Sequence, residues 1–76
     1  MIINKSNMEE KEMQKTIAEW RKERGLSLEY VAQNSIITIE DLKVIEVVPK
    51  HILLMNWLEV KSLCLVLDIS DDQIKY

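Results

Sequence analysis

Glycine, proline and cysteine occur once each in these 76 residues, and phenylalanine is absent. One glycine and one proline leave too little turn chemistry for an all-β fold, which needs many tight reversals. A single Cys64 excludes an internal disulfide, and beside the lone His51 it offers no metal cluster. The same scarcity of glycine leaves no loop to cradle a phosphate, since Gly25 stands alone. Apolar runs such as "ILLM" fall far short of a membrane span. The opening Met-Ile-Ile-Asn-Lys has no basic head before a long apolar stretch, so no secretory signal is expected. The sequence reads as a soluble cytoplasmic protein without enzymatic activity, cofactor, metal or membrane partner.

What is present is helical. Apolar residues make up 47% of the chain, which argues against disorder, and four Met with many Leu and Ile suit a core of flexible aliphatic side chains. The length allows one small domain. Net charge is −3, whereas compact nucleic-acid-binding domains usually carry a basic footprint. Local field outweighs the sum, so this lowers the expectation of DNA binding without removing it.

Helix boundaries follow from capping patterns. Ser6 with Glu9, or Asn7 with Glu10, starts a first helix through "MEEKEMQKTIAEWRKERG", with Met13, Ile17, Trp20 and Arg24 on one face. Gly25 stops it, because glycine takes positive φ without strain. Ser27 caps "LEYVAQNS", whose Leu28, Val31 and Ala32 share a face. Thr38, with Asp41 three residues on, caps a third helix whose inner face is Leu42, Ile45 and Val48, and Pro49 ends it. Asn56 and Glu59 open a fourth, "WLEVKSLCLVLD", with Trp57, Val60, Leu63, Cys64 and Leu67 inward, and Ser70 with Gln73 caps a last turn. Residues 1 to 7 are read as a tail and 8 to 76 as one domain of four to five short helices.

The order and residue pattern narrow the field further. "IAEWRKERGLS", residues 17 to 27, resembles the opening of Xre-type helix-turn-helix domains, the family of phage Cro and lambda-like repressors. The similarity continues through "YVAQNSIITIEDLKVIE" and resumes at "WLEVKSLCLVLDIS", covering roughly residues 13 to 72 with about three extra residues between Pro49 and Asn56. The resemblance implies an all-α, lambda-repressor-like fold with its helix-turn-helix at about 28 to 48. It also implies a buried ion pair between Arg21 in the first helix and Glu46 in the third. It implies DNA contact from Leu28 at the start of the second helix, from Thr38, Ile39, Glu40, Lys43 and Val44 on the third, and from Lys50 with His51 near the backbone.

The residues at those positions depart from the family. Paired donors match purine edges, yet Ile39 and Val44 can touch only a thymine methyl, and Glu40 can accept only from cytosine. Lysines 5, 11, 15, 43, 50 and 61 are scattered rather than gathered beside the third helix. Ile36 stands where the family usually has glycine, so an altered turn is expected. Two functions therefore stand side by side. One is a DNA-binding transcriptional regulator acting on double-stranded DNA. The other is a degenerate helix-turn-helix domain, from a phage or mobile element, that binds or inhibits another protein. An apolar surface of Ile52, Leu53, Leu54, Leu58 and Leu65 is expected to serve a homodimer or that protein partner. Cys64 reads as a small buried hydrophobe, and Trp20 and Trp57 as packing residues.

Overall fold

The computed structural model describes residues 13–76. Among these it holds four α-helices, α1 (Ile17–Glu23), α2 (Leu28–Gln33), α3 (Ile39–Val47) and α4 (Trp57–Leu67). Two short 3-10 helices, Pro49–Leu54 and Asp71–Gln73, follow α3 and α4 respectively. The fold is all-α, its only β feature among the described residues being an isolated bridge between Lys15 and Ile74. The expected tail at residues 1 to 7 and the caps at Ser6 and Asn7 lie outside the described residues.

The start of α1 corrects the sequence reading. Thr16, not a residue upstream, is the N-cap, and it forms a reciprocal capping box with Glu19. The Glu19 amide donates to Thr16 Oγ1 at 3.2 Å, and the Thr16 amide donates to Glu19 Oε1 at 2.9 Å. Upstream of it the backbone pairs elsewhere: the Lys15 amide donates to the Gln73 carbonyl at 3.1 Å, and the Lys75 amide donates to the Lys15 carbonyl at 2.9 Å. Met13 is therefore exposed beyond the helix rather than inside it.

The end of α1 is as expected. Gly25 takes φ +69°. Its amide returns to the Lys22 carbonyl and that of Leu26 to the Arg21 carbonyl, the paired bonds of a Schellman stop. At the end of α4 it is Asp68 that takes the left-handed conformation, with φ 56°. A short polar side chain tolerates that conformation better than most. Arg24 closes this end from α1, donating from Nε to the Leu67 carbonyl at 2.8 Å and from Nη2 to the Asp68 carbonyl at 3.1 Å. A cation suits the negative end of the α4 dipole.

One core joins these elements. Ile17 and Trp20 of α1, Val31 of α2, Leu42 and Ile45 of α3, and Leu63, Cys64 and Leu67 of α4 are buried together with Ile37, Ile52 and Ile74. The Trp20 ring is fully buried, and its Nε1–H donates to the Gln73 carbonyl at 2.8 Å. A buried indole N–H needs such a partner. Lys15 and Arg24 lie over the same ring, 4.7 and 5.0 Å from its centroid.

Two expected inner positions and one expected outer position differ. Val48 is exposed at the end of α3, where the chain leaves helical geometry for Pro49. Trp57 is 69% exposed, because it is the first residue of α4 and borders a shallow cleft instead of meeting the core. Ile52, expected at an apolar surface, is 2% exposed and belongs to the core. Residues three apart in a 3-10 helix eclipse one another, so Pro49 and Ile52 turn in together while Leu53 and Leu54 turn out.

Candidate nucleic-acid interface

The segment from Leu28 to Val47 supplies the surface. Ser27 starts α2 by accepting from the Tyr30 amide at 3.0 Å. After Asn34 the chain turns through Ser35, Ile36 and Ile37 to the next cap, Thr38. Asp68 is the only non-glycine residue with positive φ among those described, so Ile36 avoids the conformation a glycine would adopt. The turn is held by other means. The Ile36 amide donates to Ser62 Oγ of α4 at 3.2 Å, the Ile37 amide donates to Ser35 Oγ at 3.3 Å, and the Ile37 side chain is buried.

Helix α3 begins where the Asp41 amide donates to Thr38 Oγ1 at 3.2 Å. This is the Thr38 half of the expected capping box. Leu42 and Ile45 anchor one face, and α3 packs against α1, α2 and the following 3-10 helix. Arg21 of α1 grips Glu46 from the side, with Nε 2.6 Å from Oε2 and Nη2 3.0 Å from Oε1. The third nitrogen, Nη1, donates to the Leu26 carbonyl at 2.8 Å. The pair is largely enclosed, with 15% and 13% of the two side chains exposed. Donating to the Glu46 carboxylate raises the Arg21 pKa above its ordinary value, so the guanidinium stays charged.

With those anchors in place, Thr38, Glu40, Lys43 and Val44 are exposed, while Ile39 is half-buried. Leu28 is half-buried and packs against the core, and as an aliphatic side chain it has no donor for a phosphate. Lys50 is exposed beyond the end of α3 and His51 is half-buried beside it. Val47, one turn after Lys43, is 81% exposed and extends the same helix surface, a residue sequence reasoning did not select. Its signal was its position four residues after Lys43.

The chemistry available here is mixed. Lys43 and Lys50 offer ammonium groups, and Thr38 has a hydroxyl proton that its capping role leaves unused. Glu29 in the first turn of α2, with Glu40 and Asp41 in the first turn of α3, places carboxylates at the positive ends of two helices. Other cations are engaged within the fold: Lys15 pairs with Glu23 at 3.1 Å, Arg21 with Glu46, and Arg24 with the end of α4. Cys64 is buried, and desolvation raises its thiol pKa, which suits packing and not nucleophilic attack. No group of three or more His, Cys, Asp or Glu among the described residues is placed to hold a metal ion.

Compared with family models, curated proteins and solved structures, the chain matches none.

Proposed function

We propose that α2 and α3 form a helix-turn-helix and that the protein is a DNA-binding transcriptional regulator resembling the Cro and repressor type. The observation that carries this reading is the Arg21–Glu46 clamp together with the exposed row Thr38, Glu40, Lys43 and Val44. The clamp fixes the rotation of α3, and the row is what α3 then turns outward. In the major groove Lys43 meets a phosphate or a guanine edge, Thr38 a phosphate, Val44 a thymine methyl and Glu40 a cytosine amine. Lys50 lies near the backbone beyond the end of the helix.

Two lysines against three nearby carboxylates make this a weak, salt-sensitive binder. Two phosphate contacts correspond to a slope of about −2 in log affinity against log salt. Fluorescence anisotropy with a random-sequence duplex, at low and moderate ionic strength, tests it. Binding that falls with that slope, and a Lys43→Ala variant whose slope is shallower by about one, support the reading. Absence of any binding at tens of micromolar protein and low salt overturns it.

A protein-binding role for the same scaffold is favoured by a different observation, the exposure of Val44, Val47, Leu53, Leu54 and Trp57. Surfaces of this kind mark interfaces with other proteins. In that reading salt has little effect, and Lys43→Ala leaves binding intact.

A further inference from the structure

The connection between α3 and α4 makes a corner whose apex is apolar and whose shoulders are basic. In the 3-10 helix, residues three apart eclipse, so Lys50 stands in line with Leu53, and both are exposed. In α4, Trp57 and Leu58 lie four and three positions before Lys61, which places the three on neighbouring rows of one surface. The order reverses between the two elements: cation then apolar residues in the first, apolar residues then cation in the second. Leu53, Leu54, Trp57 and Leu58 therefore gather at the junction, each 60–80% exposed, and the two lysines stand at its outer ends. The charge at this corner is positive, although the chain as a whole carries −3. Glu59, the acid within it, is half-buried and turned back on its own helix start, where it accepts from the Asn56 amide at 2.9 Å. Asp71 shares a shallow cleft with Lys61 without pairing to it. Among the described residues, no hydrogen bond or ion pair engages either lysine ammonium. Charges beyond the screening length, about 8 Å at physiological salt, contribute little, so these lysines and not the net charge set the field at the apex.

We infer that this corner docks on an anionic lipid surface, with Leu53, Leu54, Trp57 and Leu58 entering the headgroup boundary and Lys50 and Lys61 meeting lipid phosphates. Interfacial segments bind through buried apolar area together with attraction of their cations to anionic lipid. An indole belongs at that depth, one end apolar and the other wet, and a lysine buries its stem while its ammonium stays among the headgroups. The lysines also separate lipid from protein as the occupant. Lysine is depleted from protein interfaces, whereas basic residues beside exposed apolar ones favour an anionic membrane. Among the described residues, no helix is long and apolar enough to cross a membrane. The expectation of no membrane partner rested on span length, and a corner wedged into one leaflet needs no span. Lys50 apart, this surface is distinct from the outward row of α3, and it does not require DNA recognition.

The two tryptophans supply the readout. Trp20 is fully buried, so its emission is already that of an apolar site, and Trp57 is the one placed to change. The full chain is mixed with vesicles of equal parts phosphatidylglycerol and phosphatidylcholine, or of phosphatidylcholine alone, and followed by co-sedimentation and tryptophan emission. Co-sedimentation with the anionic vesicles and a blue shift of the emission are expected, with much weaker binding to phosphatidylcholine. Lys50→Ala and Lys61→Ala should each weaken binding to the anionic vesicles about fivefold, the contribution of one cation near such a surface. Leu54→Asp should abolish binding and keep the fold, because that side chain lies outside the core; circular dichroism and a melting curve check this. Wild type that does not co-sediment with the anionic vesicles overturns the proposal and leaves the corner to a protein partner. So does equal binding to the two kinds of vesicle, binding that survives Leu54→Asp, or binding without a change in emission.

Discussion

The Arg21 guanidinium is joined to Glu46 by two hydrogen bonds, of 2.6 and 3.0 Å, across 25 positions of sequence. A third, from Nη1 to the Leu26 carbonyl, ties the same group to the Schellman stop after α1. One planar side chain thus fixes α1, the turn that ends it and α3 relative to one another. Arginine suits this because its fork matches a carboxylate in two parallel bonds while a further N–H remains to donate.

Removing one partner of such a pair strands the other in a mostly enclosed site. Arg21→Met should therefore cost about 3 kcal/mol in urea denaturation. Lys22→Met, one residue on and exposed, should change stability by less than about 0.5 kcal/mol. Small and equal losses at the two positions would remove the clamp from any account of how α3 is held.

Trp20 connects the chain's two ends of the core. Its Nε1–H donates to the Gln73 carbonyl 53 positions away, while the Lys15 and Lys75 amides complete a short paired segment around Ile74. Trp20→Phe keeps an aromatic in the site but removes that donor and leaves a void where the larger ring was. A loss of about 2–4 kcal/mol is expected. Hydrogen exchange should show the Lys15 and Lys75 amides losing protection before those of α3. Uniform loss across all helices would argue that Trp20 serves the core without holding the terminal turn.

Much of this arrangement was legible in the sequence because it is written locally. Ser27, Thr38, Asn56 and Ser70 were recognisable caps, and Gly25 was a recognisable stop, since each acts on amides or carbonyls within a few residues. The Arg21–Glu46 pairing came from resemblance, and the geometry brings the two residues together as that resemblance implied. What was missed depends on distant partners. Thr16 caps α1 because the backbone just before it, at Lys15, pairs with Ile74, a contact across 59 residues that no local pattern encodes. Trp57 fits the inner period of α4 yet stands outside, because periodicity says which side faces the core and not how far along the helix the core extends. Of the candidate DNA-facing residues, Lys43 and Val44 are exposed as the helix period required. Leu28 is half-buried, and aliphatic identity had already argued against a phosphate contact there.

The oily connection between α3 and α4 separates into core and surface by its 3-10 geometry. Ile52 is 2% exposed and Leu54 is 80% exposed, although they are two residues apart. Ile52→Ala should cost about 2–4 kcal/mol through lost burial and a residual cavity. Leu54→Ala should change monomer stability by less than about 0.5 kcal/mol. Thermal or urea unfolding at low protein concentration checks both; a large loss at Leu54 would mean that this side chain is covered in solution.

The capping box at the start of α1 gives stability a definite dependence on pH. Glu19 has its pKa lowered below the ordinary 4.5, first by the hydrogen bond from the Thr16 backbone and then by that from the Thr16 side chain. Desolvation opposes them, and the attraction of Lys75 and Lys15, each weaker than that opposition, adds to the lowering. A carboxylate whose folded pKa is depressed binds its proton more readily in the unfolded chain. Its ionised form therefore supports the fold fully above the unfolded value, and that support disappears as pH falls through the lower folded value. Glu19→Gln retains an oxygen that can accept from the Thr16 amide but carries no charge to titrate. Wild type should exceed this variant in stability at neutral pH, and the two should converge as pH drops below about 4. Urea midpoints measured across that range decide it. A gap that stays constant, or that widens toward acid, would show that the charge of Glu19 is not what secures the start of α1.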